Sequence, residues 1–262
     1  METVSNFLPG VAFIVNQSFS RANSEVDIEK LTKTFTALNI TVVDWSDRNC
    51  DDIRESLKKL QTDWVKYYAH FEYVVMAYLS HGSDDDIVRD PVKAFSIQNY
   101  LLKPLQTIKE LNHKLKWLII QSCRGVDDFQ DVIIEGDEKE IEYFTKYTLK
   151  SYSTAEGGTS FRNSSGSIYI AKLCEELDKN AKDKGLLDIL EDTSCAVRNY
   201  FSSLLSENML IMSILNSDSE SSDTEVYSKD ENITHIQQTP TTNRNFTGDF
   251  YFKYGFVFNN NK

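Results

Sequence analysis

The chain has 262 residues, enough for one large domain or two small ones with a sizeable core. Its hydrophobic content of 40% and aromatic content of 12% are globular values, not those of a disordered chain. A net charge of −12 excludes the Lys- and Arg-rich surface that nucleic acid requires, and favours solubility and basic partners.

The first apolar run, GVAFIV at 10–15, predicts a buried strand after a short tail, 1–9. That tail has neither the basic start nor the apolar core of a signal peptide. No separate domain is expected ahead of the first strand. Ile28, Leu31, Phe35 and Leu38 then recur at helical spacing. Ser24 and Asp27 form an expected capping box at the start of that helix. Strand 40–45 follows, then a helix carrying Ile53, Leu57, Leu60 and Trp64, and strand 73–80, which runs into His81-Gly82. A helical stretch over 97–111 leads to the strand KWLIIQ at 116–121, which runs into Ser122-Cys123.

This alternation predicts an α/β fold with a mostly parallel central sheet covered by helices on both faces. In such sheets chemistry gathers at the carboxyl ends of the strands. His81 and Cys123 each follow a strand end, so topology alone puts them on one sheet edge. Residues 126–146 are acidic and weakly periodic, and are expected to be a linker. Two helices, 166–177 and 185–205, a polar acidic loop, 216–232, and an aromatic strand, 249–258, complete the chain.

Four cysteines, at 50, 123, 174 and 195, contain no CxxC pair, so neither a zinc site nor a disulfide framework is expected. Cys50, Cys174 and Cys195 are ordinary structural thiols on this reading, the last two in the core. His70, His113 and His235 have no partner motif and are expected at the surface or in loops. Cys123 differs, because a strand-end thiol can meet an imidazole that takes its proton and makes it a nucleophile. Gly82 and Cys123 itself would supply N–H groups to an oxyanion.

Gln121-Ser122-Cys123-Arg124-Gly125, with His81 42 positions upstream, resembles the caspase signature, Q-A-C-[RQG]-G with a histidine roughly 50 residues before the cysteine. SRANSEVD at 20–27, YSTAEGGTSFRNSSGS at 152–167 and TPTTNRNFTGDFYF at 239–252 resemble further ordered segments of that family. The resemblance runs from Gly10 to Phe252. It implies a caspase-like fold divided into a large part, 10–125, the linker 126–146 and a small part, 147–262. It implies that Cys123 is the nucleophile, His81 the acid/base, and Gly82 an oxyanion donor. Arg21, Gln121 and Arg162 would line the S1 pocket, with Ser160 and Phe161 along the groove. Two guanidiniums and an amide suit a carboxylate, so cleavage after aspartate is implied. So are protein substrates with exposed Asp sites, a homodimer or a heterodimer with a related chain, regulators of inhibitor-of-apoptosis type, a role in programmed cell death, and a cytoplasmic location. No cofactor, metal, nucleic acid or membrane is implied. A weakly active or inactive homologue that regulates an active relative is the alternative.

The chain departs from the usual pattern in places. Ser122 stands for alanine and Glu156 for proline, and Thr159 and Ile168 stand where large aromatics are common. Arg124 is expected to brace its loop through salt bridges. Asp127, Asp128, Asp131 and Asp137 are the candidate maturation sites in the linker.

Overall fold

The computed structural model describes residues 7–125, 133–135, 147–217 and 238–257, with side chains described as far as 206 in the long helix and not at 133–135. In chain order the elements are β1 (Gly10–Asn16), α1 (Glu25–Ala37), β2 (Ile40–Asp44), α2 (Cys50–Asp63), β3 (Tyr73–Leu79), β4 (Ile87–Arg89), β5 (Lys93–Ser96), α3 (Lys103–Gln106) and β6 (Leu115–Gln121). They continue with β7 (Ile133–Glu135), β8 (Thr148–Tyr152), β9 (Arg162–Asn163), β10 (Gly166–Ser167), α4 (Ile168–Asn180), α5 (Leu186–Ser217), β11 (Thr241–Arg244), β12 (Asp249–Tyr251) and β13 (Gly255–Val257).

Six strands form the central sheet in the order β11-β8-β6-β3-β1-β2. All pairs are parallel except β11 with β8, so the expected mostly parallel sheet is observed. Why the strands read as unbroken apolar runs follows from their two buried faces. Ala12, Ile14, Val75, Ala77, Trp117 and Ile119 point to one core, shared with α1, α4 and α5. Val11, Phe13, Val74, Met76, Leu118 and Ile120 point to the other, shared with α2 and the segment around α3. Alternate side chains of each strand serve opposite layers, as a period of two requires.

Several expectations need correction. Ser24 is the N-cap of α1 but makes no side-chain cap; its hydroxyl accepts from Asn16 Nδ2 at 3.0 Å, so no capping box forms. The 97–111 stretch is not one helix. It is a π turn (Gln98–Leu102), the single turn α3, and a 3-10 turn (Lys109–Leu111). Pro104 lacks the N–H a continuous helix would use there. The aromatic C-terminal strand is a hairpin, β12 antiparallel to β13, turning at Gly255, where φ is +76°. That backbone conformation favours glycine. Cys195 is exposed rather than core, on the solvent side of α5, where it accepts from Arg198 Nη2 at 3.1 Å. Helix α5 runs to Ser217, past the predicted end and into the expected acidic loop; 218–232, like His235, lies outside the described residues.

Other elements carry no clear sequence signal. Within the expected linker, Ile133–Glu135 pairs in parallel with Lys93–Phe95. The linker aspartates lie outside the described residues. Hairpins β4–β5 and β9–β10, and strand β8, are too short or too polar for periodicity to reveal. Among the described residues no helix is long and apolar enough to cross a membrane.

Candidate active site

Strands β3 and β6 are parallel neighbours, with Leu79 opposite Gln121. The ladder continues one step beyond the strands, where Ser80 N–H donates to Gln121 O at 3.0 Å. His81 and Cys123 are therefore level on the carboxyl edge of the sheet, each two residues past that register pair. Cys123 is half-buried. Its thiol faces the backbone of Ser160, whose N–H donates to Sγ at 3.5 Å, while Sγ lies 3.9 Å from Ser160 O. The His81 ring stands 5.4 Å from the ring of Phe19.

Gly82 sits where a side chain has no room. A Cβ there would lie 2.7 Å from Ser122 Oγ, 2.8 Å from Ser122 Cβ and 2.9 Å from Cys123 O. The histidine loop and the nucleophile loop thus pack closely at Gly82, against the Ser122 side chain and the Cys123 carbonyl. The bridge of Gly82 with Val88 runs through His81 O, which accepts from Arg89 N–H, and Ser83 N–H, which donates to Ile87 O.

The loop after β6 is held from below and from outside. Ser153 Oγ, at the end of β8, donates to Ser122 O at 2.9 Å and accepts from Ser122 N–H at 3.3 Å. Arg124 exchanges backbone hydrogen bonds with Gly157 and Gly158. Its buried guanidinium pairs with Asp86 at 3.0 Å and Glu156 at 2.9 Å, and lies 4.0 Å over the Tyr152 ring. The bracing role expected of Arg124 is observed. Glu156, where proline is usual, is one of its partners.

The three residues predicted to bind a carboxylate come from three segments and gather beside the sulfur's neighbour Ser160 and the end of β3. Arg21 is buried, with Nη1 donating to Asn16 Oδ1 (2.7 Å), Leu79 O (2.9 Å) and Gln17 O (3.1 Å). Burial, and then the neighbouring Arg162, lower its pKa to about 10, against the opposing pull of Asp27. Arg162 opens β9, and its Nε, Nη1 and Nη2 are buried without a hydrogen-bond acceptor. Gln121 ends β6; its Nε2 donates to Ser160 Oγ at 2.6 Å, and its Oε1 has no donor. The two guanidiniums thus have N–H groups to spare, at Arg21 Nη2 and across Arg162, and the ligand that satisfies them is an anion with several acceptors.

Ser160 and Phe161, expected along the groove, differ in what they touch: Ser160 meets the Cys123 thiol and the Gln121 amide. The Phe161 ring turns inward onto Phe201, 5.3 Å away, and its N–H donates to Gln238 Oε1 at 2.9 Å. Its apolar contact is thus partly spent on the core. Ile168 opens α4 and is also a core residue. Two residues of the site escaped the sequence reading. Gln238 is fully buried and ties the segment to Ser153 O at 2.8 Å. Asp27, fully buried, contacts both arginines. The signal for Asp27 was present: an acid four positions before Leu31 stands on the apolar stripe of α1, where a charge needs a partner.

The caspase domain, as a family model, matches residues 9–251. Caspase-3 of Xenopus laevis is 31% identical over 197 residues, covering 69% of this chain and 68% of that protein. Caspase A of Caenorhabditis elegans is 26% identical over 226 residues, covering 73% of this chain. A second protein of that organism, described as putative inactive caspase B, is 26% identical over 195 residues, covering 66% of this chain and 72% of its own length. The chain spans 40% of Caspase A and 62% of Caspase-7 of Gallus gallus.

Proposed function

Since the chain belongs to the caspase family, we propose that it is a cysteine endopeptidase that cleaves proteins after aspartate, as part of apoptotic or related proteolytic signalling. The observation that carries this reading is a strand-end thiol near two arginines that keep N–H donors without acceptors, beside an amide whose Nε2 donates to Ser160 Oγ. The pocket calls for a carboxylate, and its three lining residues include no acid that would recognise a basic P1 side chain.

In the proposed reaction His81 takes the proton of Cys123 Sγ, and the thiolate attacks the carbonyl carbon of the scissile peptide. The developing oxyanion is met by the N–H groups of Gly82 and Cys123. His81 then returns the proton to the leaving amine, and water releases the acid from the thioester. Arg21, Gln121 and Arg162 hold the P1 side chain. Gln121 leaves Ser160 Oγ to do so, because its Nε2 is spent there without a ligand. A reducing compartment such as the cytoplasm keeps the thiol available. Strand β11 ends the sheet with the polar residues Thr242, Asn243 and Arg244 exposed, and a second copy or a related chain pairs along it in this proposal. Regulators of inhibitor-of-apoptosis type would act on the same groove.

One observation favours a second reading, a weakly active or inactive homologue that regulates an active relative by heterodimerisation. The Ser160 segment already occupies both the thiol and the Gln121 amide. Hydrolysis of fluorogenic peptides with P1 Asp, Asn or Glu, by wild type, Cys123→Ala and His81→Ala, separates the two. Asp-confined turnover that both substitutions abolish supports the protease. No turnover by a folded, dimer-competent wild type refutes it.

A further inference from the structure

Asp27 has no part in the reaction above, yet it is a carboxylate with no solvent exposure at all. A buried charge is costly unless it is paired and hydrogen-bonded. Its hydrogen bonds come from one residue far along the chain: Ser167 N–H donates to Oδ1 at 2.7 Å and Ser167 Oγ to Oδ2 at 2.6 Å. Its charge partners are different. Arg21 Nη2 lies 3.7 Å from Oδ2, and Arg162 Nη2 lies 3.5 Å from the same atom.

Those two distances carry the argument. They are short enough for strong attraction in a buried site but too long for a hydrogen bond. Both cations are drawn to one oxygen, yet neither spends a donor on it. Arg21 Nη2 and the Nε, Nη1 and Nη2 atoms of Arg162 remain buried without acceptors. Without an anion between them the two guanidiniums repel, and Arg162, on the short β9–β10 hairpin, is the one able to swing out to water. Space around the carboxylate is tight as well, since a Cβ on Gly166 would fall 2.5 Å from Oδ1.

We propose that Asp27 is the positioning residue of the carboxylate pocket, a buried anion that holds Arg21 and Arg162 side by side while leaving their N–H groups open to the ligand. The inference rests on the carboxylate-pocket reading given above. It makes the pocket one charge short of its two arginines, which matches a singly charged P1 aspartate.

The test separates the two readings by working on the full chain in a Cys123→Ala background, where binding is measured without turnover. Peptides ending in P1 Asp or P1 Asn are titrated by calorimetry into Cys123→Ala, Cys123→Ala/Asp27→Asn and Cys123→Ala/Ser167→Ala. Asparagine at 27 keeps hydrogen-bonding capacity toward Ser167 but removes the charge. Alanine at 167 removes a hydrogen bond but keeps the charge. The expected result is a roughly tenfold or greater loss of preference for P1 Asp in Asp27→Asn, the scale of one charge-assisted contact, and a change under about threefold in Ser167→Ala. An unchanged or stronger preference in Asp27→Asn overturns the proposal, as does an equal loss in Ser167→Ala, which would make Asp27 only a hairpin anchor. Absence of any P1 Asp preference in Cys123→Ala itself refutes the pocket reading. Asp27 is then judged by NMR of the arginine Nε–H groups: a separate, slowly exchanging Arg162 signal that averages out in Asp27→Asn supports positioning, and an identical signal in both overturns it.

Discussion

Replacing Asp86 with Asn tests whether the nucleophile loop is held by a buried charge network. Asp86 accepts from Arg124 Nη2 at 3.0 Å, Lys150 Nζ at 3.0 Å and Tyr152 OH at 2.8 Å. Its side chain is 18% exposed, Arg124 is 6% and Lys150 is 13%, so water does little screening. Burial, and then the Asp86 carboxylate, push the Tyr152 phenol well above its ordinary pKa, so it stays a donor. Asp86 has φ of +56°, which asparagine tolerates. Asn therefore deletes the charge with little backbone strain. What remains is the buried Arg124, whose other carboxylate partner, Glu156, has a side chain 76% exposed, and Lys150 without its Asp86 partner.

Removing one partner of a buried pair costs about 3–5 kcal/mol, and slight exposure lowers this to about 2–4 kcal/mol. For a domain of this size that lowers Tm by roughly 5–12 °C. Glu156→Gln removes the exposed partner of the same arginine and should cost less than about 1 kcal/mol. Thermal unfolding of both variants and of wild type, monitored by circular dichroism, gives the comparison. Because Arg124 follows Cys123 directly, Asp86→Asn should also reduce peptide hydrolysis. Equal destabilisation by the two variants would show that burial does not set the strength of these pairs, and the reasoning would fail.

Other outcomes follow from single residues. Lys116 is 1% exposed, with Nζ donating to the carbonyls of Leu111 (2.7 Å) and Lys114 (3.0 Å), and burial lowers its pKa from 10.5 to about 8. Between those pH values the unfolded chain holds a proton that the native chain does not, so stability rises with pH across the window, and the full penalty, on the order of 3 kcal/mol, applies below it. Lys116→Met should thus raise Tm relative to wild type more at pH 7 than at pH 10; a pH-independent difference would contradict the burial argument. Gly82→Ala should lower kcat/KM on P1 Asp peptides by about 100-fold or more, since an oxyanion donor must shift. Adding Ser122→Ala should restore only part of it, because Cys123 O is still 2.9 Å from the new Cβ. Gln238→Ala leaves Ser153 O and Phe161 N–H without their partner, and should cost about 2 kcal/mol in denaturant unfolding and raise KM.

What the sequence could tell depended on how far the physics reached along the chain. Strands β1, β3 and β6 were legible because burial on both faces makes them unbroken apolar runs, and β3 and β6 deliver His81 and Cys123 to one edge by topology alone. Arg21, Gln121 and Arg162 were legible only through motif resemblance, for nothing local in SRAN or SFRN says that they meet. Asp27 was misassigned by a local rule. A Ser-x-x-Asp at a helix start suits a capping box, but its carboxylate found Ser167, 140 positions away, and the cap was never formed. Gln238 gave no signal, since a glutamine in a polar run looks like any solvated residue until the fold buries it. The residues that position this site are thus the ones whose partners are distant in sequence, and those that touch the substrate in the proposed reaction are the ones that stand in short motifs. A contact across the sheet edge can satisfy a buried charge from any direction, so it leaves no spacing to read. A nucleophile beside a strand end must be followed by residues that turn the backbone and tie the loop, and that requirement is written in consecutive positions, as Arg124 and Gly125 after Cys123 illustrate.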